Sequence, residues 1–524
     1  MEGENLGKLA GPRLLEGALG LVVLAVLLNA MAKTKADPDL WGYLAFGRLF
    51  WETGAFPYRD VFSYVPTLPL WVYHEWLTGV LFYPLYQALG GAGLQFLKYA
   101  VGLATVAMVY LTARQRGASL VSAALVLFLI QLFPVIGFSP VRAQIFTYCF
   151  FATSVYLLEN ARLNQRWRGL WLLVPLQALW CNLHGGFLSG LGLIGLYALG
   201  EALSRRPFRP YLRVLLLSGL VTLANPYGWE YWHYLWIAVS MPRPEITEWA
   251  SLWAAYQQSH IGPFELAYTL FIISFAGFLA VRTRWRELSP TLSLVLVLYL
   301  GLNHLRHLTF FLLLVGAYLP ARLSKYLETR PQARVSGSSR LRPILALILA
   351  LTALSPAYQF LSKQPLHLDT PPLPEAGDVP GQYYPVGAVA YLRSHRVSGK
   401  LLTEFGWGEY LIWTLYPQCR VALDGRYETV YPPGVAALYF NFINQIGNSR
   451  QFLEDYPPDL ILLAPRSKAC GFIASHPGWR RVYADAGSAL FVRRPGLPST
   501  PAASAIPLRR AISYNDPNDP AIFP

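Results

Sequence analysis

The first 360 residues alternate between long apolar runs and short stretches that are basic or aromatic and polar. A helix that crosses a bilayer needs about 20 apolar residues. The runs at 15–31, 93–112, 118–137, 141–160, 170–183, 187–204, 213–225, 264–281, 289–303, 306–320 and 343–361 predict about eleven spans. Several are short for a crossing. The segment 76–89 is apolar and aromatic, and its composition predicts an interfacial or re-entrant helix. The pattern changes after a Pro-rich linker at 362–382. Helical periodicity at 386–395, 435–446 and 450–456 alternates with short apolar strands at 400–403, 420–423 and 460–463. A strand pair at 479–483 and 489–492 follows. That alternation predicts a small α/β domain over 383–494. The tail 495–524 has the Pro, Ala and Ser content of a disordered segment.

The fold class expected is therefore a polytopic α-helical membrane domain over 1–361, with a first outer loop at 32–92, followed by a small soluble α/β domain. The first apolar run lacks a small-residue cleavage site and reads as an uncleaved span. Composition agrees: 54% of the 524 residues are hydrophobic and only 14% are charged, against about 25% charged in soluble proteins. The net charge of +14 does not point to nucleic acid, because the basic residues fall in short loops between apolar runs. Arg114 and Arg116 share one such loop. Arg162, Arg166 and Arg168 share a second, and Arg205, Arg206, Arg209 and Arg213 a third. Arg282, Arg284 and Arg286 form a fourth, and the loop 321–342 is a fifth. With eleven spans all five fall on one side, which the positive-inside rule makes the cytoplasm. The chain then reads as an integral protein of a bacterial inner (plasma) membrane, with a cytoplasmic N-terminus and an extracytoplasmic C-terminal domain. Cys149 and Cys181 lie in apolar runs as small hydrophobes. Cys419 and Cys470 lie in the outer domain, where a disulfide is compatible with the compartment.

On the outer side, Asp37 and Asp39 stand just past the first span, in Ala36-Asp37-Pro38-Asp39-Leu40-Trp41. Their plainer reading is a helix end and a turn, with Asp39 as the cap of a helix starting at Leu40. Asp60 would cap a turn, and His74-Glu75 would sit at the start of a helix with favourable dipole placement. Other outer turns carry Asn182 and His184, and also His304, Arg306 and His307. Arg142 stands at a span end, where it can snorkel to the interface. Arg306 between two His suits the phosphate of a lipid, since a guanidinium presents a fork of donors. Acids and cations on one membrane face match the needs of sugar transfer from a polyprenyl phosphate. A carboxylate would take the acceptor proton, and a cation would stabilise the leaving phosphate. That cation would be Arg306 or a divalent metal, Mg2+ or Mn2+, on Asp37 and Asp39. In the C-terminal domain Asp424-Gly425-Arg426-Tyr427 follows a strand end, a usual place for a site in α/β folds, or simply a turn.

These residues resemble the GT-C superfamily of membrane glycosyltransferases. The likeness runs through Asp37-x-Asp39-Leu-Trp, then Gly54, Pro57, Asp60 and Phe62-Ser63-Tyr64, then Trp71 and Glu75-Trp76-Leu77. The patches Trp180-x-Asn182-x-His184-Gly185, Asn225-Pro226-Tyr227-Gly228 and Arg306-His307 fit the same layout. It covers about residues 15–360 and is nearest to RgtA/B/C/D-like or protein-mannosyltransferase-like cores. It implies inverting transfer from a polyprenyl-phosphate-sugar donor to a glycan, lipid or protein acceptor outside the membrane. A first-loop acid then serves as base or metal ligand, the position of Asp37 and Asp39, with His74 and Glu75 nearby for acceptor or metal. Of the two acids Asp37 is favoured as the base, since Asp39 has a competing role as cap. Phe405-Gly406-Trp407-Gly408-Glu409-Tyr410 is similar to the Trp-Trp-Asp-Tyr-Gly motif of oligosaccharyltransferase catalytic subunits, which makes Trp407, Glu409 and Tyr410 candidates for acceptor binding. It departs at Gly406 and at Gly408-Glu409. Two alternatives stand beside this reading. One is a transporter or flippase of lipid-linked saccharides, which would call for repeats and midplane charges. The other is a non-catalytic assembly protein of the same fold.

Overall fold

The computed structural model describes residues 2–131, 140–241, 246–329 and 341–494. The tail 495–524 and part of the fifth basic loop lie outside these. Contacts divide the chain into two units. One comprises Met1–Thr34, Gln95–Gly228 and Val239–His367, and the other Lys35–Leu94, Trp229–Ala238 and Leu368–Pro524.

The first unit is helical. Among the described residues six helices are long and apolar enough to cross a membrane: Leu14–Met31, Trp76–Gln115, Gly185–Leu203, Pro263–Arg282, Leu305–Glu328 and Pro343–Ser362. Each covers one of the eleven expected runs. Of the other five runs, 118–137 lies partly outside the described residues and 141–160 falls on the 21-residue helix Gln144–Asn164; the helices on the remaining three are shorter. Leu173–Leu183 has 11 residues, or about 17 Å at 1.5 Å per residue, against a core of about 30 Å. The six helices meet the requirement, and the expected count of about eleven is not confirmed among the described residues. The segment 76–89 is helical as expected, but it continues through a break at Gly90 (φ 60°, ψ −154°) into the Trp76–Gln115 helix. That backbone conformation is open to glycine at little cost.

Three of the basic loops meet within this unit. Arg116 and Arg162 both pair with Glu159, and Arg116, Arg162 and Arg322 all pair with Glu287. The Tyr197 hydroxyl donates to Glu159 at 2.7 Å. Guanidinium and carboxylate groups withdrawn from water persist when paired in this way.

The second unit is built on a five-stranded sheet. Its strands are β1 (Gly399–Thr403), β2 (Cys419–Val421), β3 (Leu460–Leu463), β4 (Trp479–Ala484) and β5 (Ala489–Arg493), in the order β2-β1-β3-β5-β4. β1 is parallel to β2 and β3, while β5 runs antiparallel to both β3 and β4. All four residues of β3 are buried, the pattern of a strand covered on both faces. The first loop joins this sheet: Ser63 bridges Val421 in parallel, the Val421 N–H donates to the Phe62 carbonyl at 3.0 Å, and the Tyr64 N–H donates to the Val421 carbonyl at 3.1 Å. The helices Gly408–Leu415 and Lys468–Ser475 were not expected from the sequence. Cys419 and Cys470 are free thiols, so the disulfide compatible with their compartment does not form.

Candidate functional site

In the sheet unit the site begins at the helix Pro38–Thr53. Asp37 is its N-cap, with extended backbone and a side-chain oxygen that accepts from the Asp39 N–H at 3.2 Å. Pro38 at the first helical position has its φ already set. This corrects the assignment made from sequence: the capping acid is Asp37, and Asp39 is the acid of the first turn. The preference for Asp37 as base loses its ground. Asp37 is buried, whereas Asp39 is partly exposed.

The start of this helix is pinned from the C-terminal segment. The Ala36 N–H donates to the Asp369 carbonyl at 2.8 Å, and the Tyr384 hydroxyl donates to the Ala36 carbonyl at 3.0 Å. Trp41 packs edge-on against Tyr384 and Tyr410. Glu409 reaches across from the Gly408–Leu415 helix and accepts from the Gly42 N–H at 3.0 Å. A Cβ added at Gly42 would lie 2.4 Å from the Glu409 carboxylate. One added at Gly425 would lie 2.8 Å from Glu409 Oε1 and 3.4 Å from Asp39 Oδ1. The two carboxyl groups therefore crowd one point beside the Gly425 backbone. Burial, and then the charge of Asp39, push the Glu409 carboxyl well above the usual range.

Behind this pair lies a sealed ion cluster. Arg426 donates to Asp424 from Nε at 2.8 Å and from Nη2 at 2.7 Å, and pairs with Asp60 through Nη1 at 2.5 Å. Its guanidinium lies over the rings of Phe62 (5.0 Å) and Trp71 (4.9 Å). The side chains of Arg426, Asp60 and Asp424 are 2%, 1% and 0% exposed, so this cluster is scaffold. Asp60 had been read as a turn cap, and its Oδ2 does accept from the Ser63 N–H at 2.8 Å.

The remaining candidates of this unit lie apart in role. His74 stacks on Tyr234 with centroids 5.8 Å apart and has Glu75 3.8 Å away. Trp407, expected to meet an acceptor, is fully buried, and its indole N–H donates to the Tyr383 carbonyl at 2.8 Å. Tyr410 is also core, against Trp41 and Tyr384. Of the acceptor motif, Glu409 lies beside Asp39.

The helical unit gathers the cationic candidates. The turn Leu305–His307 docks on the turn Thr247–Trp249. The Leu305 N–H donates to the Ala250 carbonyl at 3.0 Å, and His304 Nδ1 lies 2.8 Å from the Trp249 carbonyl. The Arg306 guanidinium lies over the Trp249 ring at 4.8 Å, and the His304 and His307 rings pack on the same indole. Arg142 pairs with Glu248 at 2.8 Å. Arg142, and after it Arg306, hold the Glu248 carboxyl below the usual range. Neither Glu248 nor Trp249 was singled out from sequence. The available signal was an acid next to Trp in a loop rich in aromatics. His184 belongs to a different turn. Its Nδ1 accepts from the Gly186 N–H at 2.8 Å and meets Thr147 Oγ1 at 2.8 Å, which leaves the proton of the neutral ring on Nε2. Asn182 donates to the Ala178 and Ala224 carbonyls, a helix-end role.

A metal on Asp37 and Asp39 finds too few donors. Asp37 accepts from its own helix, and no group of three or more His, Cys, Asp or Glu side chains converges among the described residues. Divalent cations of this class take several oxygen ligands.

No protein-family model matches the chain, and no curated protein matches it in sequence. Solved structures do match in shape. The Archaeoglobus fulgidus oligosaccharyltransferase tethered to an acceptor peptide aligns at a TM-score of 0.55 and 13% identity, covering 91% of this chain and 74% of that one. ArnT from Cupriavidus metallidurans in its apo state aligns at 0.51 and 12% identity, covering 94% of this chain and all of the other (100%). The chain has the GT-C fold. In this fold the first-loop acids and the Glu409 motif belong to one unit, although 366 residues separate Asp60 from Arg426.

Proposed function

We propose that this GT-C chain is a membrane glycosyltransferase that moves a sugar from a polyprenyl-phosphate donor to an acceptor on the extracytoplasmic side of a bacterial inner membrane. The observation that carries the reading is Asp39. It is a partly exposed carboxylate on the first turn of a helix pinned from the C-terminal segment, beside the buried Glu409 carboxyl.

The chemistry follows from that arrangement. The acceptor O–H or N–H approaches the anomeric carbon from the face opposite the phosphate. Its heteroatom forms the new bond to that carbon while the bond from carbon to the phosphate oxygen breaks. Asp39 takes the acceptor proton. The electron pair of the broken bond leaves with the polyprenyl phosphate, and the configuration at the anomeric carbon inverts. Charge grows on the departing phosphate and calls for a cationic partner; in the helical unit Arg306 has the chemistry to bind the phosphate of a lipid. A guanidinium resting on an indole keeps its donor edge for an oxyanion. No step is assigned to a metal, because the donors present do not fit one.

The test uses purified protein in nanodiscs and a panel of labelled undecaprenyl-phosphate sugars, with envelope glycans, lipids and peptides as acceptors. The expected result is consumption of one donor, release of polyprenyl phosphate and a product of opposite anomeric configuration. A panel left untouched by the wild-type protein, or a product of retained configuration, overturns the proposal.

A further inference from the structure

We infer that Glu409 is a positioning residue for Asp39: its carboxyl, wedged between the backbones of Gly42 and Gly425, fixes the first turns of the Pro38–Thr53 helix. This rests on the reading of Asp39 as the base.

Three observations carry it. The Glu409 carboxyl makes a direct bond to the helix that bears Asp39, at 3.0 Å from the Gly42 N–H. The space it occupies exists because two residues lack a Cβ, since either Cβ would come within 2.8 Å of it. Its side chain is buried, although it lies at the partly exposed Asp39. A lever of this kind is short and stiff. Lateral movement of the helix start would press Gly42 into the carboxyl, and movement of the carboxyl would press it into Gly425.

The charges facing Glu409 explain how it can serve here. Asp39 faces it from the helix, Asp424 and Arg426 from the turn after β2, and Tyr73 and Tyr384 from the loop and the C-terminal segment. The single guanidinium is already shared by Asp424 and Asp60. A further buried anion is unfavourable, so burial and the charge of Asp39 favour the protonated form. A protonated carboxyl still accepts from the Gly42 N–H, and it places an O–H dipole beside Asp39 in place of a second negative charge. Glutamine has the same shape and the same carbonyl acceptor, so it should substitute; alanine should not.

The experiment compares full-length wild type, Glu409→Gln, Glu409→Ala and Gly425→Ala in nanodiscs. Hydrogen exchange is read in peptides of the 38–53 helix and, as a control, in β1 to β5. Transfer from the undecaprenyl-phosphate sugar panel is read in parallel. Loss of a buried hydrogen-bond partner corresponds to about tenfold or more. E409A and G425A should therefore exchange about tenfold faster in the 38–53 helix while the strands stay protected. E409A should lose about tenfold in kcat with donor KM little changed, and E409Q should recover most of both losses. Exchange in E409A and G425A equal to wild type overturns the inference. So does an E409Q as impaired as E409A, which would make the ionised carboxylate the working group. If no probe is turned over by wild type, the transferase reading fails, and the exchange contrast alone still decides whether Glu409 holds the helix.

Discussion

Two guanidinium sites, Arg426 in the sheet unit and Arg306 in the helical unit, handle charge in opposite ways. In the sheet unit Arg426 is enclosed by Asp60 and Asp424, with every member of the cluster at most 2% exposed. In the helical unit Arg306 rests on the face of Trp249 and is partly exposed, while its neighbour Arg142 takes the carboxylate of Glu248. A guanidinium closed in by two buried carboxylates is out of reach of a ligand and serves as a rivet. One supported by an aromatic face keeps its hydrogen-bonding edge. The same contrast separates Asp424 and Asp60 from Asp39. Pairing and burial, more than residue type, distinguish scaffold charges from reagents.

Each way of breaking this contrast has an expected size. The largest effect falls on Asp39→Asn, which should lower turnover by about 10²–10⁴-fold, the usual contribution of a general base. Arg426→Met strands two buried carboxylates and should destabilise the protein by about 3–5 kcal/mol, read as the thermal midpoint of the full chain in detergent. Arg306→Ala should reduce turnover by about 10²–10³-fold, and Arg306→Lys should recover only part because the fork of donors is lost. A smaller effect appears in the pH dependence. Folded Glu409 keeps its proton to higher pH than the unfolded chain does, so stability falls as pH rises from the ordinary carboxylate range toward the raised value. E409Q should flatten that slope in melts taken across pH. The smallest effect belongs to Glu248→Gln. Glu248 is 42% exposed, and such pairs contribute about 0–1 kcal/mol. Its depressed value means the contribution is present at neutral pH and lost as pH falls through that value.

Much of this was legible along the chain. Hydropathy located the membrane helices because a bilayer demands long apolar runs, and all six qualifying helices fall where such runs stand. The five strands also fall where they were expected, because short β-branched and leucine-rich runs have few other solutions. What was not legible is long-range. Nothing local to Asp60 announces Arg426, and nothing local to Gly42 announces Glu409. Asp424-Gly425-Arg426 was singled out as a strand-end turn, but its partners come from the first loop. The cap was misassigned because Asp37-Pro38-Asp39 offers two acids two residues apart. Proline at the first helical position decides between them, since it makes the residue before it the cap. Composition alone does not separate a span from a buried core helix, so short apolar helices such as Leu173–Leu183 do not settle a count of crossings.

The most direct test of the distinction between reagent and scaffold measures turnover and thermal midpoint together for Asp39→Asn and Asp424→Asn. The account predicts a crossed result: D39N keeps the wild-type midpoint and loses transfer from the undecaprenyl-phosphate sugar, while D424N loses midpoint by several degrees, about 2–4 °C for each kcal/mol lost. A D39N protein that transfers sugar at the wild-type rate, or one whose loss of transfer is matched by an equal loss of midpoint, would contradict it.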